Sequence, residues 1–270
     1  MEFGSLKDKV IVVTGGTGVL GGSFVNCIHS MGGTVVILGR NEEAATQRAE
    51  IIKSKGGKAL AVVADVLNLE SLIAAKELII NTYGKIDGLV NAAGGNIAGA
   101  VIAPEDDLFK IDLNAFNQVL SLNLHGTIQA TQVFGEEIAK RESGSIVNIS
   151  SMTSQRAITK VMGYSIAKAA LDSYTKWFAV ELANRYGDKI RMNAIAPGFF
   201  ITEQNRKLLT NPDQSYTERG NLVIRQTPFK RFGQPDELEG ALIWLLSDAS
   251  QFVTGTIITV DGGFLAFGGV

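Results

Sequence analysis

Val10-Ile11-Val12-Val13-Thr14-Gly15-Gly16-Thr17-Gly18-Val19-Leu20-Gly21-Gly22 is the stretch whose reading decides the fold. Four β-branched apolar residues at Val10–Val13 predict a buried strand. Ser23–Ser30 predicts a helix, and the glycines between satisfy G-x-G-x-x-G at Gly16, Gly18 and Gly21. Alone that spacing is a weak signal. Between a strand and a helix it is a strong one. There the glycines allow a tight turn, close approach of backbone to a pyrophosphate, and tight helix–strand packing. The helix N-terminus then offers unpaired N–H groups and a positive dipole to the phosphates. Gly15, Thr17, Gly18, Val19 and Leu20 are the candidate contacts for a dinucleotide.

Outward from this turn the pattern alternates. Apolar runs at Val35–Leu38, Ala59–Ala64, Gly88–Asn91, Ser145–Ile149, Arg191–Ile195 and Thr256–Val260 predict six more strands. Helical periodicity fills Glu42–Ser54, Leu69–Tyr83, Leu113–Ala139, Tyr164–Tyr186 and Pro235–Ser247. Continuous apolar strands alternating with helices imply a parallel sheet covered on both faces. The expected fold is α/β: one doubly wound Rossmann domain over residues 1–270, with a seven-stranded parallel sheet. Residues 1–5 lack a targeting signal and read equally as a cloning remnant, and a cytoplasmic location is the default expectation.

Composition narrows the function classes. With 25 basic and 27 acidic residues the net charge is −2, so no basic field invites nucleic acid. No apolar run is long enough to span a membrane. Cys27 is the single cysteine, and His29 and His125 show no ligand spacing, so no metal site is expected.

Ligands of doubly wound sheets sit at the carboxyl ends of the strands. The second strand ends in Gly39-Arg40-Asn41 with no acid at its tip. An acid there would bind the ribose hydroxyl of NAD, whereas Arg40 suits the 2′-phosphate of NADP. NADP(H) is therefore placed first, and NAD(H) stays open through Asn41 or Glu42. Asp65-Val66 follows the third strand and offers an acceptor to the adenine amine. Asn91-Ala92-Ala93-Gly94 follows the fourth, with residues small enough for a flat ring to lie close.

The fifth strand ends at Ser150-Ser151, and Tyr164 and Lys168 follow at i and i+4 of a predicted helix, on one face. A tyrosine near its ordinary pKa of about 10 is a poor base at neutral pH. A neighbouring ammonium favours its phenolate. With Ser151 holding a substrate oxygen, the set suits proton transfer coupled to a hydride transfer by the cofactor.

These residues, with Asn123 in Leu122-Asn123-Leu124-His125-Gly126, Arg191-x-Asn193 and Pro197-Gly198-x-x-x-Thr202, resemble the classical short-chain dehydrogenases/reductases over nearly the whole chain. The resemblance implies that Tyr164 is the general acid/base. Lys168 binds the nicotinamide ribose and lowers the tyrosine pKa. Ser151, rather than Ser150, positions the carbonyl, and Asn123 holds a water that extends the proton relay. Pro197, Gly198 and Thr202 contact the carboxamide. One departure concerns the turn: the family's T-G-x-x-x-G-x-G would place glycine at 19, where this chain has Val19 after Gly18.

Substrate specificity is expected in a lid over residues 199–232. This segment is polar and carries Arg206, Lys207, Arg219 and Arg225. Gln204 and Asn205 are candidate hydroxyl readers and Arg206 a candidate carboxylate reader, which suits a sugar acid better than a steroid or acyl chain. Within the family the chain is most similar to the D-mannonate oxidoreductase (fructuronate reductase) subgroup and its gluconate 5-dehydrogenase neighbours. This implies redox chemistry between D-fructuronate and D-mannonate. The alternatives are 5-keto-gluconate, an alginate-derived deoxy-keto-uronate, or a non-catalytic nucleotide sensor. The resemblance implies NAD for D-mannonate dehydrogenases, against the reading of Arg40. It also implies a homotetramer, formed through the Tyr164–Tyr186 helix and the apolar tail Thr254–Val270. Trp177 and Trp244 read as packing residues.

Overall fold

The computed structural model describes residues 4–203 and 205–269. The sheet is assembled from β1 (Val10–Thr14), β2 (Thr34–Gly39), β3 (Ala59–Val63), β4 (Gly88–Asn91), β5 (Gly144–Ile149), β6 (Ile190–Pro197) and β7 (Ile257–Val260). Their order is β3-β2-β1-β4-β5-β6-β7, and every neighbouring pair is parallel. All seven strands expected from the sequence form.

Alternate residues of each strand serve opposite faces, and both faces are covered. Ile11, Val13, Val35 and Ile37 pack under α1 (Val19–Ser30), α2 (Glu42–Ser54) and α9 (Glu239–Leu246), around Phe24, Ile28, Ile52 and Leu242. Val10, Val12, Val36 and Leu38 face α3 (Leu69–Tyr83), α5 (Gly126–Lys140) and α6 (Met162–Tyr186), around Leu72, Ile79, Phe134 and Leu182. Among the described residues no helix is long and apolar enough to cross a membrane.

Three segments depart from the sequence reading. The first helix begins at Val19, not at Ser23, so Gly21 and Gly22 are helical. They are needed there as spacers. A Cβ on Gly21 would lie 2.1 Å from the Gly15 carbonyl oxygen, and one on Gly22 would lie 1.8 Å from the Arg48 guanidinium. Arg48, on α2, reaches over this glycine surface and donates to Gly16 O at 2.8 Å.

The helix expected over Leu113–Ala139 is α4 (Leu113–Leu120) and α5 joined by a π-helical turn at Ser121–His125. The helix expected over Pro235–Ser247 opens with a tight turn at Pro235–Leu238 before α9. Between β6 and β7 the chain forms α7 (Arg206–Leu209) and α8 (Glu218–Gln226), held by a small core of Leu209, Val223 and Phe232.

Gly21→Ala should therefore cost about 1–3 kcal/mol through overpacking, read as a lowered denaturation midpoint. Gly240→Ala is the control. It lies in α9 with nothing within 4 Å of its added methyl, so higher helix propensity should leave stability unchanged or raised by up to about 1 kcal/mol.

Candidate active site

β1 and β4 are neighbours in the sheet, but the chain leaves them on different courses, which opens a crevice at their carboxyl ends. Thr14 closes its floor. Its Oγ1 accepts from the amides of Ala92 and Ala93, each at 3.2 Å. Gly15 follows with φ +65°, and a Cβ there would meet the Ala92 carbonyl and Ala93 Cα at 2.8 Å. Both left-handed geometry and close approach demand glycine.

Gly18 is the N-cap of α1 and makes no side-chain cap. By contrast Asn41, Asn68, Asp112 and Thr217 cap α2, α3, α4 and α8 through their side chains. A Cβ on Gly18 would meet only Gly15 O, at 3.4 Å, so the fold itself tolerates a side chain there. An uncapped helix start with no acid in its first turn, behind a bare glycine, fits an anionic pyrophosphate. Val19 is simply the first helical residue, and Thr17 lies against Gly39, whose Cβ would approach Thr17 Oγ1 to 2.8 Å.

At the ribose edge, Arg40 is exposed and its Nη1 lies 4.0 Å from Asp65 Oδ2. Asp65 also caps its own turn by accepting from Leu67 N at 2.9 Å. Val66 is buried and packs against Gly126. Asn41 is engaged as the α2 cap, accepting from Ala44 N at 2.9 Å. Asn91 turns its amide into the core, donating to Thr131 Oγ1 and Asn148 Oδ1 at 3.0 and 2.9 Å.

Ser151, Tyr164, Lys168 and Asn123 converge on one spot. Ser151 leaves β5, and its Oγ accepts from Thr153 N and Thr153 Oγ1 at 3.2 and 3.1 Å. Ser150 instead turns inward and donates to Asp172. Tyr164 stands in the first turn of α6. Burial raises its phenol pKa, and a hydrogen bond with Ser151 opposes that shift. Lys168 is one turn further on, with Nζ 5.5 Å from the Tyr164 ring centre. It donates to the Ile149 carbonyl at 2.8 Å. Burial pulls its pKa down to about 8 against the opposing pull of Asp172. A Cβ on Gly94 would lie 2.7 Å from Asn123 Oδ1 and 3.3 Å from Lys168 Nζ, so only glycine lets β4's loop pass between them.

The Asn123 side chain is fully buried. Both its amide hydrogens are engaged, with Gly95 O at 2.7 Å and Val119 O at 2.8 Å, and its Oδ1 accepts from Gly95 N at 2.9 Å. It fixes the π turn to the β4 loop.

Gly198 packs on the turn after β7, where a Cβ would come within 2.6 Å of Asp261 Cα, beside Pro197 at the end of β6. Thr202 N donates to Asn205 Oδ1, and Asn205 Nδ2 to Phe200 O, both at 2.8 Å. Arg206 Nη2 lies 3.7 Å from Glu203. Gln204 lies outside the described residues. Arg219 is one of the lid charges named from the sequence, and Arg156 is an arginine that the sequence reading did not single out. Arg219 reaches from α8 to Thr159 O at 3.2 Å. Arg156 donates to Phe264 O at 2.9 Å and lies 5.1 Å over that residue's ring.

Residues 19–265 match the model of a family described as enoyl-(acyl carrier protein) reductase. An uncharacterized oxidoreductase of Bacillus subtilis, UxuB, is 43% identical over 275 residues, covering 98% of each chain. Two solved structures are also similar. One, described as a candidate D-mannonate oxidoreductase from Haemophilus influenzae with bound NAD, superposes with TM-score 0.91 at 37% identity and covers 98% of both chains. The other, a gluconate 5-dehydrogenase from Burkholderia cenocepacia in complex with NADP and tartrate, gives TM-score 0.86 at 32% identity, again over 98% of both chains. The chain belongs to the classical short-chain dehydrogenases/reductases, as a nicotinamide-dependent oxidoreductase in the subgroup of these sugar-acid enzymes.

Proposed function

We propose that the protein interconverts the keto and hydroxy forms of a sugar acid, D-fructuronate and D-mannonate, with NADP(H) ahead of NAD(H). The observation that carries this reading is the convergence of Ser151, Tyr164 and Lys168 beside Gly94. It is supported by the likeness to the D-mannonate oxidoreductase. Bound nicotinamide supplies or takes the hydride at the carbonyl carbon. In the reducing direction Ser151 Oγ holds the carbonyl oxygen, and Tyr164 gives that oxygen its phenolic proton. Lys168 keeps positive charge beside the phenolate that results and binds the nicotinamide ribose. Asn123 acts by shaping the π turn around the relay. Since both its amide hydrogens are engaged, any water is held by the backbone of that turn.

Residues 199–232 are the lid. Arg206 and Arg219 are its candidate carboxylate readers and Gln204 its candidate hydroxyl reader, while Asn205 maintains the turn at Phe200–Thr202 ahead of Arg206. Burial lowers the Arg219 pKa, and no acid contributes to that shift. A half-buried cation of this kind suits an anionic substrate. The likeness to the gluconate 5-dehydrogenase supports a second reading, in which the substrate is 5-keto-gluconate. Trp177, Val180 and Phe252 are exposed apolar side chains and support assembly as a homotetramer.

Tyr164→Phe should lower turnover at least about a hundredfold while dinucleotide binding, followed by fluorescence, stays as in the wild type. Unchanged turnover would remove Tyr164 from the chemistry. Arg40→Ala should raise the KM for NADPH roughly ten- to hundredfold and leave that for NADH nearly unchanged. An equal effect on both would show that Arg40 does not read the 2′-phosphate. Initial rates with D-fructuronate, 5-keto-gluconate and a neutral ketone separate the substrate readings, and preference for the neutral ketone would overturn both.

A further inference from the structure

Asp172 lies one helical turn beyond Lys168 on α6 and is buried, with 8% of its surface exposed. A carboxylate so placed needs hydrogen bonds to offset its lost hydration. It has two. Ser150 Oγ donates to Oδ1, and Ser154 Oγ lies 2.6 Å from Oδ2. Ser154 Oγ is also 2.7 Å from the Ser151 carbonyl. Ser151 is thus flanked by two serines that both hold one carboxylate on the helix carrying Tyr164 and Lys168.

We propose that Asp172 is a positioning residue for the hydride-transfer reaction: its buried carboxylate ties the Ser151 loop to α6 and sets a negative charge one helical turn from Lys168. The inference rests on the roles given above to Ser151, Tyr164 and Lys168.

The surroundings of Lys168 single out Asp172 as the charge that acts on it. On α6 the neighbouring titratable groups are Tyr164 and Asp172. β5 contributes the Ile149 carbonyl, and the turn after it the Ser150 hydroxyl, Ser151 and Ser154. The π turn contributes Asn123 and an exposed His125. α4 has no ionisable residue. Arg191 of β6 points its guanidinium to Leu245 O, Ser247 O and Ser250 Oγ. Burial drives the Lys168 proton off and Asp172 opposes it.

Reduction needs a protonated Tyr164 beside a charged Lys168, so its rate falls as pH rises through the first deprotonation of that pair. Taking away a negative charge lets that proton leave at lower pH. In Asp172→Asn, which preserves size, the alkaline limb of kcat for reduction should move down by about one pH unit. Ser150→Ala leaves the carboxylate its Ser154 partner, and so its charge, but loses the tie to the strand end beside Ser151. Its limb should stay in place while kcat falls about tenfold.

A limb for Asp172→Asn that coincides with the wild type would overturn the electrostatic role. An undiminished kcat in the serine variant would overturn the tie. Asp172→Ser, also uncharged, carries the same prediction if the asparagine protein does not fold. Failure of the underlying site reading shows separately, as turnover that survives in Tyr164→Phe.

Discussion

Between β1 and β4 two strands that lie side by side hand the chain on in different directions, and the hydroxyl of Thr14 spans the gap. By accepting from the amides of Ala92 and Ala93 it leaves Gly15 no room for a side chain. It also fixes where the glycine turn stands relative to the β4 loop. Gly94 and Gly95, a few residues on, set the position of Asn123, and the gap at Gly94 is shared with Lys168. The surface for the dinucleotide and the proton-transferring residues are therefore two sides of one junction.

A buried polar ladder carries that junction across the sheet. Asn91 on β4 bonds to Asn148 on β5, which donates to Thr175 on α6 at 2.9 Å, while Thr131 on α5 takes the other Asn91 hydrogen. Each bond contributes only about 1 kcal/mol net, but removing one partner strands a buried group at about 1–3 kcal/mol. Such a ladder fixes register more than it adds stability. It aligns the two helices that bring Asn123 and Lys168 to the crevice with the strands that bring Gly94 and Ser151.

Much of this was legible in the sequence because it rests on local patterns. Strands buried on both faces read as apolar runs, and α2 and α3 announce themselves by period. The start of α1 was not legible, because Gly21 and Gly22 look like turn residues. They are helical residues kept bare by Gly15 O and Arg48. The π turn at Ser121–His125 was hidden because a single widened turn leaves the apolar period on either side intact. The short helices α7 and α8 rest on three buried side chains, too few to set a period. Asp172 was invisible for another reason. An aspartate on a helix reads as solvated surface, and only the fold brings Ser150 and Ser154 to it.

The strand order has a consequence for how the molecule is made. β1 is flanked by β2 on one side and β4 on the other. A chain emerging from the ribosome thus exposes its glycine turn well before the wall that completes it, Ala92–Ala93, has been synthesised. Lys168 and the edge strand β7 follow later still. Domains rich in such distant pairings fold slowly and cannot close early. The growing polypeptide holds an unfinished cleft with bare strand edges through most of its synthesis, and cofactor arriving in the cell has nothing to stabilise until the second half of the sheet is in place.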